Sequence, residues 1–336
     1  MPYDSHPHPN PCPDPFDSNH FLYSTGASVF GSHNLLDWDG PDGNITLSSL
    51  SVGIEETAVL DLAAPLKGPA LYSALGDISG FVHWDVNKAP STTYRNPGWA
   101  TTGHVDYAGA VVPGKVVRAA SGVAISSDDG ATWTEIPGTP GDNGRSLSIS
   151  ADGKNVHWIV AGGLYRSTNS AAWTLTSGGP TDGILAADKV NGTLIYAVSG
   201  SSFYLSTDSG ANFKRVGVFS TTANSVSSVA VNPFKSGDVW VAADDGVYHS
   251  TYPFTSWTKA ADIQRATFIS VGAPPSAQAY PAVYIVGYAT SSWTQGVYRS
   301  EDQGKNWVKL NDNAKNGFGS ATSNPISGTL IQTFPL

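Results

Sequence analysis

The sequence predicts an all-β protein, a seven-bladed β-propeller with repeated turn motifs. Two observations support this fold class. A short motif recurs every 40 to 50 residues, and short β-branched and aromatic runs bounded by Gly, Asn, Asp and Pro precede each copy. Propeller blades contain four short strands and repeat at about this spacing. The sequence shows no amphipathic segment of helical period and useful length.

The recurring motif is Ser-x-Asp-x-Gly-x-x-aromatic, the Asp-box. Complete copies occupy residues 126–133, 206–213 and 300–307, and degraded copies begin at Ser167 and Ser250. The closing aromatic residues stand at 133, 173, 213, 257 and 307, so their gaps are 40, 40, 44 and 50 residues. This spacing predicts one copy per blade.

The chemistry of the Asp-box is local. Ser and Asp side chains bond backbone amides within a tight turn, Gly supplies a positive φ, and the aromatic ring packs into the blade. The order of residues differs from that of an EF-hand calcium loop. We therefore expect a structural role for the acidic residues of the complete copies, Asp128, Asp208 and Asp302.

Apolar strands precede the motifs in order, at residues 123–125, 163–165, 202–205, 246–248 and 296–298. Further strands lie upstream, at residues 156–160, 194–198 and 239–241. Two fainter units come earlier, one ending at Trp38 and one containing the run from Phe81 to Asp85. Together these units predict seven blades, centred near residues 35, 80, 130, 170, 210, 255 and 305.

Composition excludes several classes of function. The 18 Lys+Arg and 27 Asp+Glu residues give a net charge of −9, with no basic cluster for nucleic acid or an anionic membrane. No apolar run approaches the roughly 20 residues of a membrane-spanning helix. The single cysteine, Cys12, allows neither an internal disulfide nor a Cys-based zinc site. We expect no metal and no cofactor.

One loop is suited to present a catalytic side chain. Two apolar runs flank the sequence Gly-Asp-Ile-Ser-Gly at residues 76–80, so Asp77 stands at the tip of a glycine-bracketed turn. Functional residues of propellers lie on loops held by a rigid scaffold. The alternative is that Asp77 is an ordinary turn residue, which Asp favours for conformational reasons.

Several segments resemble fungal glycoside hydrolase family 74, the xyloglucanases. They lie at residues 14–26, 31–39, 53–65, 76–81, 99–101 and 105–109, followed by the Asp-boxes in register. The resemblance runs from about residue 14 to 319 and implies two tandem seven-bladed propellers with the substrate cleft between them. This chain resembles the second propeller. It divides into an unmatched segment at 1–13, a propeller at 14–320 and a divergent tail at 321–336 that lacks the closing turn of the family.

The resemblance implies an inverting hydrolase in which Asp77 is the general acid. The general base of the family belongs to the first propeller, so that partner is missing from this chain. His83, Trp84, Trp99 and Tyr107 are the expected sugar-binding residues, because aromatic faces stack on pyranose rings. An inverting enzyme needs two carboxyl groups about 6.5–9.5 Å apart. We therefore expect weak hydrolysis or none from the isolated chain.

The implied substrate is xyloglucan or a related β-glucan oligosaccharide, attacked either within the chain or at its reducing end. The implied location is extracellular, although the first residues show no signal peptide. Glu55 and Glu56 also belong to the matching segments, where they would order the cleft or bond a sugar hydroxyl.

Two other functions share Asp-boxes. A non-catalytic propeller that binds carbohydrate or protein stays open as the alternative. A sialidase is disfavoured, because the seven arginines include no Arg-Ile-Pro segment.

Overall fold

The computed structural model describes residues 12–24, 29–50, 57–141, 144–276, 279–289 and 295–311. The chain divides into two compact units, Met1–Thr57 and Ala58–Leu336. Glu55, Glu56 and the tail at 321–336 lie outside the described residues. Cys12 and Pro13 belong to a strand, so the first sheet begins two residues before the predicted boundary at 14.

The first unit contains one antiparallel sheet in the order β1-β2-β3-β4. Its strands are β1 Cys12–Asp14, β2 Asp17–Ser24, β3 Val29–Ser32 and β4 Ser48–Ser49, and a 3-10 helix spans Leu35–Asp39. Asn34 organises the loop after β3, because its Oδ1 accepts hydrogen bonds from Ser32 Oγ at 2.9 Å and Thr46 N at 2.8 Å. Trp38 lies in the 3-10 helix and is 66% exposed. This fainter repeat therefore does not place its aromatic ring in the core.

Six antiparallel sheets form the described part of the second unit, each with its strands in chain order. The first three consist of β5 Val59–Ala63, β6 Leu71–Leu75 and β7 Gly80–His83; β8 His104–Tyr107, β9 Val116–Ala119, β10 Val123–Ser126 and β11 Thr134–Glu135; and β12 Ser146–Ile149, β13 Asn155–Val160, β14 Gly163–Thr168 and β15 Thr174–Leu175.

The next three sheets follow the same plan. They consist of β16 Ile184–Ala187, β17 Ile195–Ser199, β18 Ser202–Ser206 and β19 Lys214–Val218; β20 Val226–Val231, β21 Asp238–Ala243, β22 Gly246–Thr251 and β23 Thr258–Lys259; and β24 Ile263–Val271, β25 Val283–Ala289, β26 Gln295–Ser300 and β27 Val308–Lys309.

The described residues thus form seven sheets, and the predicted class, an all-β seven-bladed propeller, is confirmed. The expectation of four strands in every unit is wrong for one sheet, since β5-β6-β7 has three. Residues 84–103 follow β7 without forming a strand. This segment contains Pro90 and Pro97, which lack the amide hydrogen that a strand ladder needs.

The first strand of each sheet in the second unit lines a central channel of about 290 Å³. Adjacent first strands are joined by bonds from a backbone amide to a side chain. These bonds run from Val105 N to Asp61 Oδ2 at 3.1 Å, from Ile149 N to Asp106 Oδ2 at 2.9 Å and from Leu185 N to Ser146 Oγ at 2.9 Å. Polar channel residues therefore fix the sheets relative to one another within this unit.

The Asp-box turns have the predicted geometry. In the first, Ser126 Oγ donates to Asp128 Oδ1 at 2.7 Å and accepts from Gly130 N at 2.9 Å, while Thr132 N donates to Asp128 Oδ1 at 2.9 Å. Gly130 has a φ of 81°. Ser206 with Asp208, and Ser300 with Asp302, repeat these bonds. The three aspartates therefore make the hydrogen bonds within the turn that the motif predicts.

The aromatic residues that close the motifs pack into the sheets as expected. Trp133 and Phe213 are buried, and Trp173, Trp257 and Trp307 are partly buried against the apolar clusters between strands. Burial of such large side chains is a major stabilising term, since each removes 150–250 Å² of ring surface from water. The motif therefore joins a local turn to the packing of its blade.

Candidate active site

Asp77 lies in the turn between β6 and β7, where the backbone adopts a rare conformation. Asp77 and Ser79 have φ values of 64° and 66°, and Gly80 has a φ of 146°. A Cβ atom on Gly80 would lie 2.0 Å from the Ser73 carbonyl oxygen, so only glycine fits there. Non-glycine residues with positive φ are uncommon and strained, and surrounding bonds must hold them.

A neighbouring segment at residues 100–102 supplies those bonds. Asp77 N donates to Thr101 Oγ1 at 3.1 Å, and Ser79 N donates to the Ala100 carbonyl at 2.6 Å. Thr102 N donates to the Leu75 carbonyl at 3.0 Å. The side chain of Asp77 itself is exposed, and none of the described residues donates a hydrogen bond to its carboxylate. The turn is fixed while its acidic group faces solvent.

Beneath this segment lies Arg118, a fully buried arginine on β9. Its Nη2 donates to the Pro97 carbonyl at 2.6 Å, and its Nη1 donates to Thr102 Oγ1 at 3.5 Å. Three aromatic rings surround the guanidinium, those of Tyr94, Trp99 and Trp133. Burial lowers the pKa of Arg118 to about 10, so the group is charged at neutral pH. Nothing in the sequence pattern indicated this residue.

Trp99 is the sugar-binding candidate that lies at the same end of the sheets as Asp77. It directly precedes the supporting segment at 100–102, and its ring is half-buried against the guanidinium of Arg118. Its six-membered ring also lies beside Gly122, in the turn between β9 and β10. The structure therefore brings Asp77 and Trp99 to one surface.

His83 and Trp84 lie at the other end of the same sheet. Strand β7 begins beside the Asp77 turn and runs away from it for four residues, about 13 Å. His83 pairs with Leu71, and its Nε2 lies 3.0 Å from Ser73 Oγ. Burial lowers the pKa of His83. His83 and Trp84 are therefore close to Asp77 in sequence but not in space, because the extended strand β7 lies between them and Asp77.

Tyr107 is separated from Asp77 in the same way. It ends β8, where it pairs with Val116, whereas His104 begins that strand at the end that carries Asp77. Lys189 Nζ lies 4.7 Å from the centre of the Tyr107 ring and bonds the Tyr107 carbonyl at 2.6 Å. Lys189 also forms an ion pair with Asp106 at 2.8 Å. Tyr107 thus belongs to a polar cluster at the far end of the channel.

Polar groups of neighbouring sheets extend the surface at the Asp77 end. His104 Nε2 lies 3.0 Å from the Gly144 carbonyl, and burial lowers the pKa of His104. Arg145 Nη1 donates to Asp182 Oδ1 at 2.8 Å, and both side chains are exposed. They border a cavity of about 380 Å³ that is lined also by Ile184 of β16 and Val226 of β20. The arrangement offers carboxylates, amides and hydroxyls to a polar ligand.

Within the described residues, no group of three or more His, Cys, Asp or Glu side chains is placed to hold a metal ion. In the same residues, no helix has the length and apolar character needed to cross a membrane.

Comparison with known proteins agrees with the fold. No family model matches the chain. A xyloglucanase of Hypocrea jecorina is 35% identical over 329 residues, which cover 94% of this chain and 38% of that protein. A xyloglucanase of Paenibacillus is 32% identical over 323 residues, covering 90% of this chain and 31% of that protein.

The solved structures agree with these relatives. The crystal structure of a family 74 xyloglucanase from Xanthomonas campestris superimposes with a TM-score of 0.78 at 30% identity, covering 93% of this chain and 47% of that one. This chain is a homologue of the family 74 glycoside hydrolases. The resemblance predicted from the sequence motifs is confirmed.

This family 74 homologue spans about 38% of the length of the Hypocrea jecorina relative. Its relatives come from fungi and bacteria, so the match does not restrict it to the fungal members. The similarity supports the fold of this chain.

Proposed function

We propose that this chain is the part of an inverting xyloglucan hydrolase that supplies the general acid, Asp77. The observation that carries the proposal is an exposed carboxylate on a turn held by backbone bonds, in a chain 35% identical to a xyloglucanase. Acid catalysis requires a carboxyl group that is precisely held yet open to the substrate. The backbone of Asp77 is fixed by its hydrogen bonds, and its side chain is open to solvent.

The proposed reaction begins with protonated Asp77. Its proton passes to the glycosidic oxygen as the bond from that oxygen to the anomeric carbon breaks. A water molecule, activated by an opposing carboxylate, attacks the anomeric carbon from the other face, and the configuration inverts. Asp77 is left as a carboxylate and the opposing base holds the proton of the water. The opposing base then releases its proton to solvent, and Asp77 takes up a proton from solvent. Both groups thereby return to their starting protonation states.

Asp77 supplies half of this machinery. We propose that the base belongs to a further propeller, as the family resemblance implies, and that substrate lies between the two. The isolated chain should then hydrolyse xyloglucan weakly or not at all. Of the four aromatic candidates, we assign Trp99 to this cleft, because it shares the surface of Asp77 and its ring is only half-buried.

The proposed substrate is xyloglucan or a related β-glucan oligosaccharide, with internal and reducing-end attack both open. Because such polymers lie outside cells, we propose an extracellular location. The low number of charged residues and the abundance of aromatic rings suit a neutral, hydroxylated ligand.

A chimera tests the proposal. The region of the Hypocrea jecorina xyloglucanase that aligns with this chain is replaced by this chain, and reducing ends released from xyloglucan are measured. The chimera should be active, and Asp77→Asn should lower kcat by about 10² to 10⁴, the usual contribution of a general acid. Glu301→Gln, which removes an exposed carboxylate just after β26, at the end of the sheets opposite to Asp77, is the matched control and should retain activity.

Two results would contradict the assignment. One is an active chimera whose Asp77→Asn form turns over as fast as the parent. The other is vigorous hydrolysis by the isolated chain that survives Asp77→Asn. Glycan binding measured by calorimetry, with an inactive chimera, would instead favour the alternative function, a non-catalytic carbohydrate-binding propeller.

A further inference from the structure

A groove of about 520 Å³ lies beside the three-stranded sheet, at the end of β7 opposite to Asp77. One wall is the segment from Trp84 to Arg95, and the other is the first Asp-box turn at residues 128–131. Val82 and the buried Tyr94 contribute to the lining. Its volume falls within the range of small-molecule binding sites.

The groove exists because this sheet lacks a fourth strand. In the other five sheets of this unit, a short outer strand follows the third strand. Here the chain leaves β7 at His83 and continues as an irregular segment, with the exposed residues Ser91, Thr92 and Thr93 facing the groove. Gly130 brings the opposite wall close, since a Cβ atom there would lie 2.8 Å from Val82.

Trp84 borders this groove and is 64% exposed. The tryptophans that close the Asp-boxes are buried or partly buried, so the exposure of Trp84 is not required by the repeat. An exposed indole beside a concave surface is a typical anchor for a ligand, because it offers a flat apolar face and a polar edge.

The charged residues that line the groove nearly balance, Lys88 and Arg95 against Asp85, Asp128 and Asp129, which favours a neutral ligand over a strongly charged one. Asp85 Oδ2 lies 3.5 Å from Lys88 Nζ, and hydrogen bonds from Asn87 hold Asp85 in its turn. The Asp128 carboxylate is occupied by Ser126 and Thr132 within its own motif. Beside these charges the groove presents the hydroxyl groups of Ser91, Thr92 and Thr93 and the aromatic face of Trp84, which is the chemistry that recognises a pyranose.

We propose that this groove is a second glycan-binding site, in which Trp84 stacks on a pyranose ring of a neutral β-glucan oligosaccharide. The site is separate from Asp77 and holds the polymer without cleaving it. The choice of a xyloglucan oligosaccharide as its ligand rests on the proposed function. The inference that Trp84 stacks on a sugar ring rests on the groove alone.

Calorimetric titration of the whole chain with a xyloglucan oligosaccharide and with cellotetraose tests the proposal. Trp84→Ala should weaken binding by about tenfold, the loss expected for one aromatic stacking contact. Trp38→Ala is the matched control, because that indole is equally exposed but lies in the first unit. Asp77→Asn should leave this binding unchanged within about twofold.

Thr93→Arg gives a second, independent variant. This exposed position lines the groove, and a long side chain there should block the ligand while the sheets stay intact, as circular dichroism would report. Quenching of tryptophan fluorescence by ligand should be weaker in Trp84→Ala than in the parent chain.

Binding that is unaffected by both Trp84→Ala and Thr93→Arg would overturn the proposal. So would an intact chain that binds neither oligosaccharide, or one whose binding is lost in Asp77→Asn alone. The proposed function is tested separately, by measuring hydrolysis by the chimera. An inactive chimera would not decide whether the groove binds glycan.

Discussion

The guanidinium carbon of Arg118 lies 4.6 Å from the centre of the Trp99 ring. Arg118 belongs to β9, whereas Trp99 belongs to the segment that leads from the preceding sheet. That segment continues into Thr101 and Thr102, which bond the Asp77 turn and Leu75. The buried arginine therefore supports the proposed acid through two intermediates, a stacked ring and a hydrogen-bonded loop.

Arg118→Lys should lower the free energy of unfolding by about 2–3 kcal/mol, because an ammonium cannot replace the planar fork that bonds Pro97 and Thr102 and stacks on the rings. Urea unfolding followed by fluorescence measures the change. Arg145→Lys is the matched control: its ion pair is exposed, so the loss should be about 0–1 kcal/mol. Equal losses for both variants would contradict the supporting role of Arg118.

The second Asp-box offers a test of the turn itself. Partial burial raises the pKa of Asp208, but bonds from Asn212, Ser206 and Ala211 outweigh it and lower the pKa to about 2. Asp208→Ala removes these acceptors and should cost about 1–2 kcal/mol in urea unfolding. Asp182→Ala, at an exposed carboxylate, should cost less than about 1 kcal/mol. No loss in Asp208→Ala would show that the motif does not stabilise the blade.

Stability should fall between neutral pH and pH 4 because of His157. This fully buried histidine has a pKa lowered from 6.5 to about 4, chiefly by burial, and its Nε2 donates to the Ser209 carbonyl at 3.0 Å. Below 6.5 the unfolded state binds a proton that the folded state does not. The free energy of unfolding should therefore decrease as pH falls towards 4, by about 3 kcal/mol from this residue.

His157→Gln retains a donor for Ser209 but does not titrate, so it should remove that part of the pH dependence. Urea midpoints at pH 7, 5.5 and 4 measure it, with the exposed His33→Gln as control. A variant that loses stability with pH as steeply as the parent would contradict the assignment.

The ion pair of Lys189 with Asp106 gives a further prediction. Lys189→Met leaves the Asp106 carboxylate without its cation, and a buried pair broken in this way costs about 3–5 kcal/mol. Adding Asp106→Asn removes the stranded charge but keeps an oxygen to accept from Ile149 N. The double variant should therefore be more stable than Lys189→Met alone. A double variant less stable than Lys189→Met would show that the unpaired charge of Asp106 is not what destabilises Lys189→Met.

Short-range information accounts for the correct predictions. The motif at residues 126–133 specifies its own hydrogen bonds, because Ser126 and Asp128 bond groups within four residues. Alternating or continuous apolar runs specify strands, and their repeat specifies the number of sheets. The Gly-bracketed turn with Asp77 is local for the same reason.

What the sequence by itself determined was the seven sheets, their turns and the exposed Asp77, since each depends on contacts between residues close in the chain. The tertiary structure alone decided which side chains share a surface. It placed Trp99 near Asp77 and moved His83, Trp84 and Tyr107 to the far ends of their strands. It also placed Arg118 under a loop from another sheet. The reason is that strand direction and the stacking of sheets, which no local pattern encodes, fix these distances.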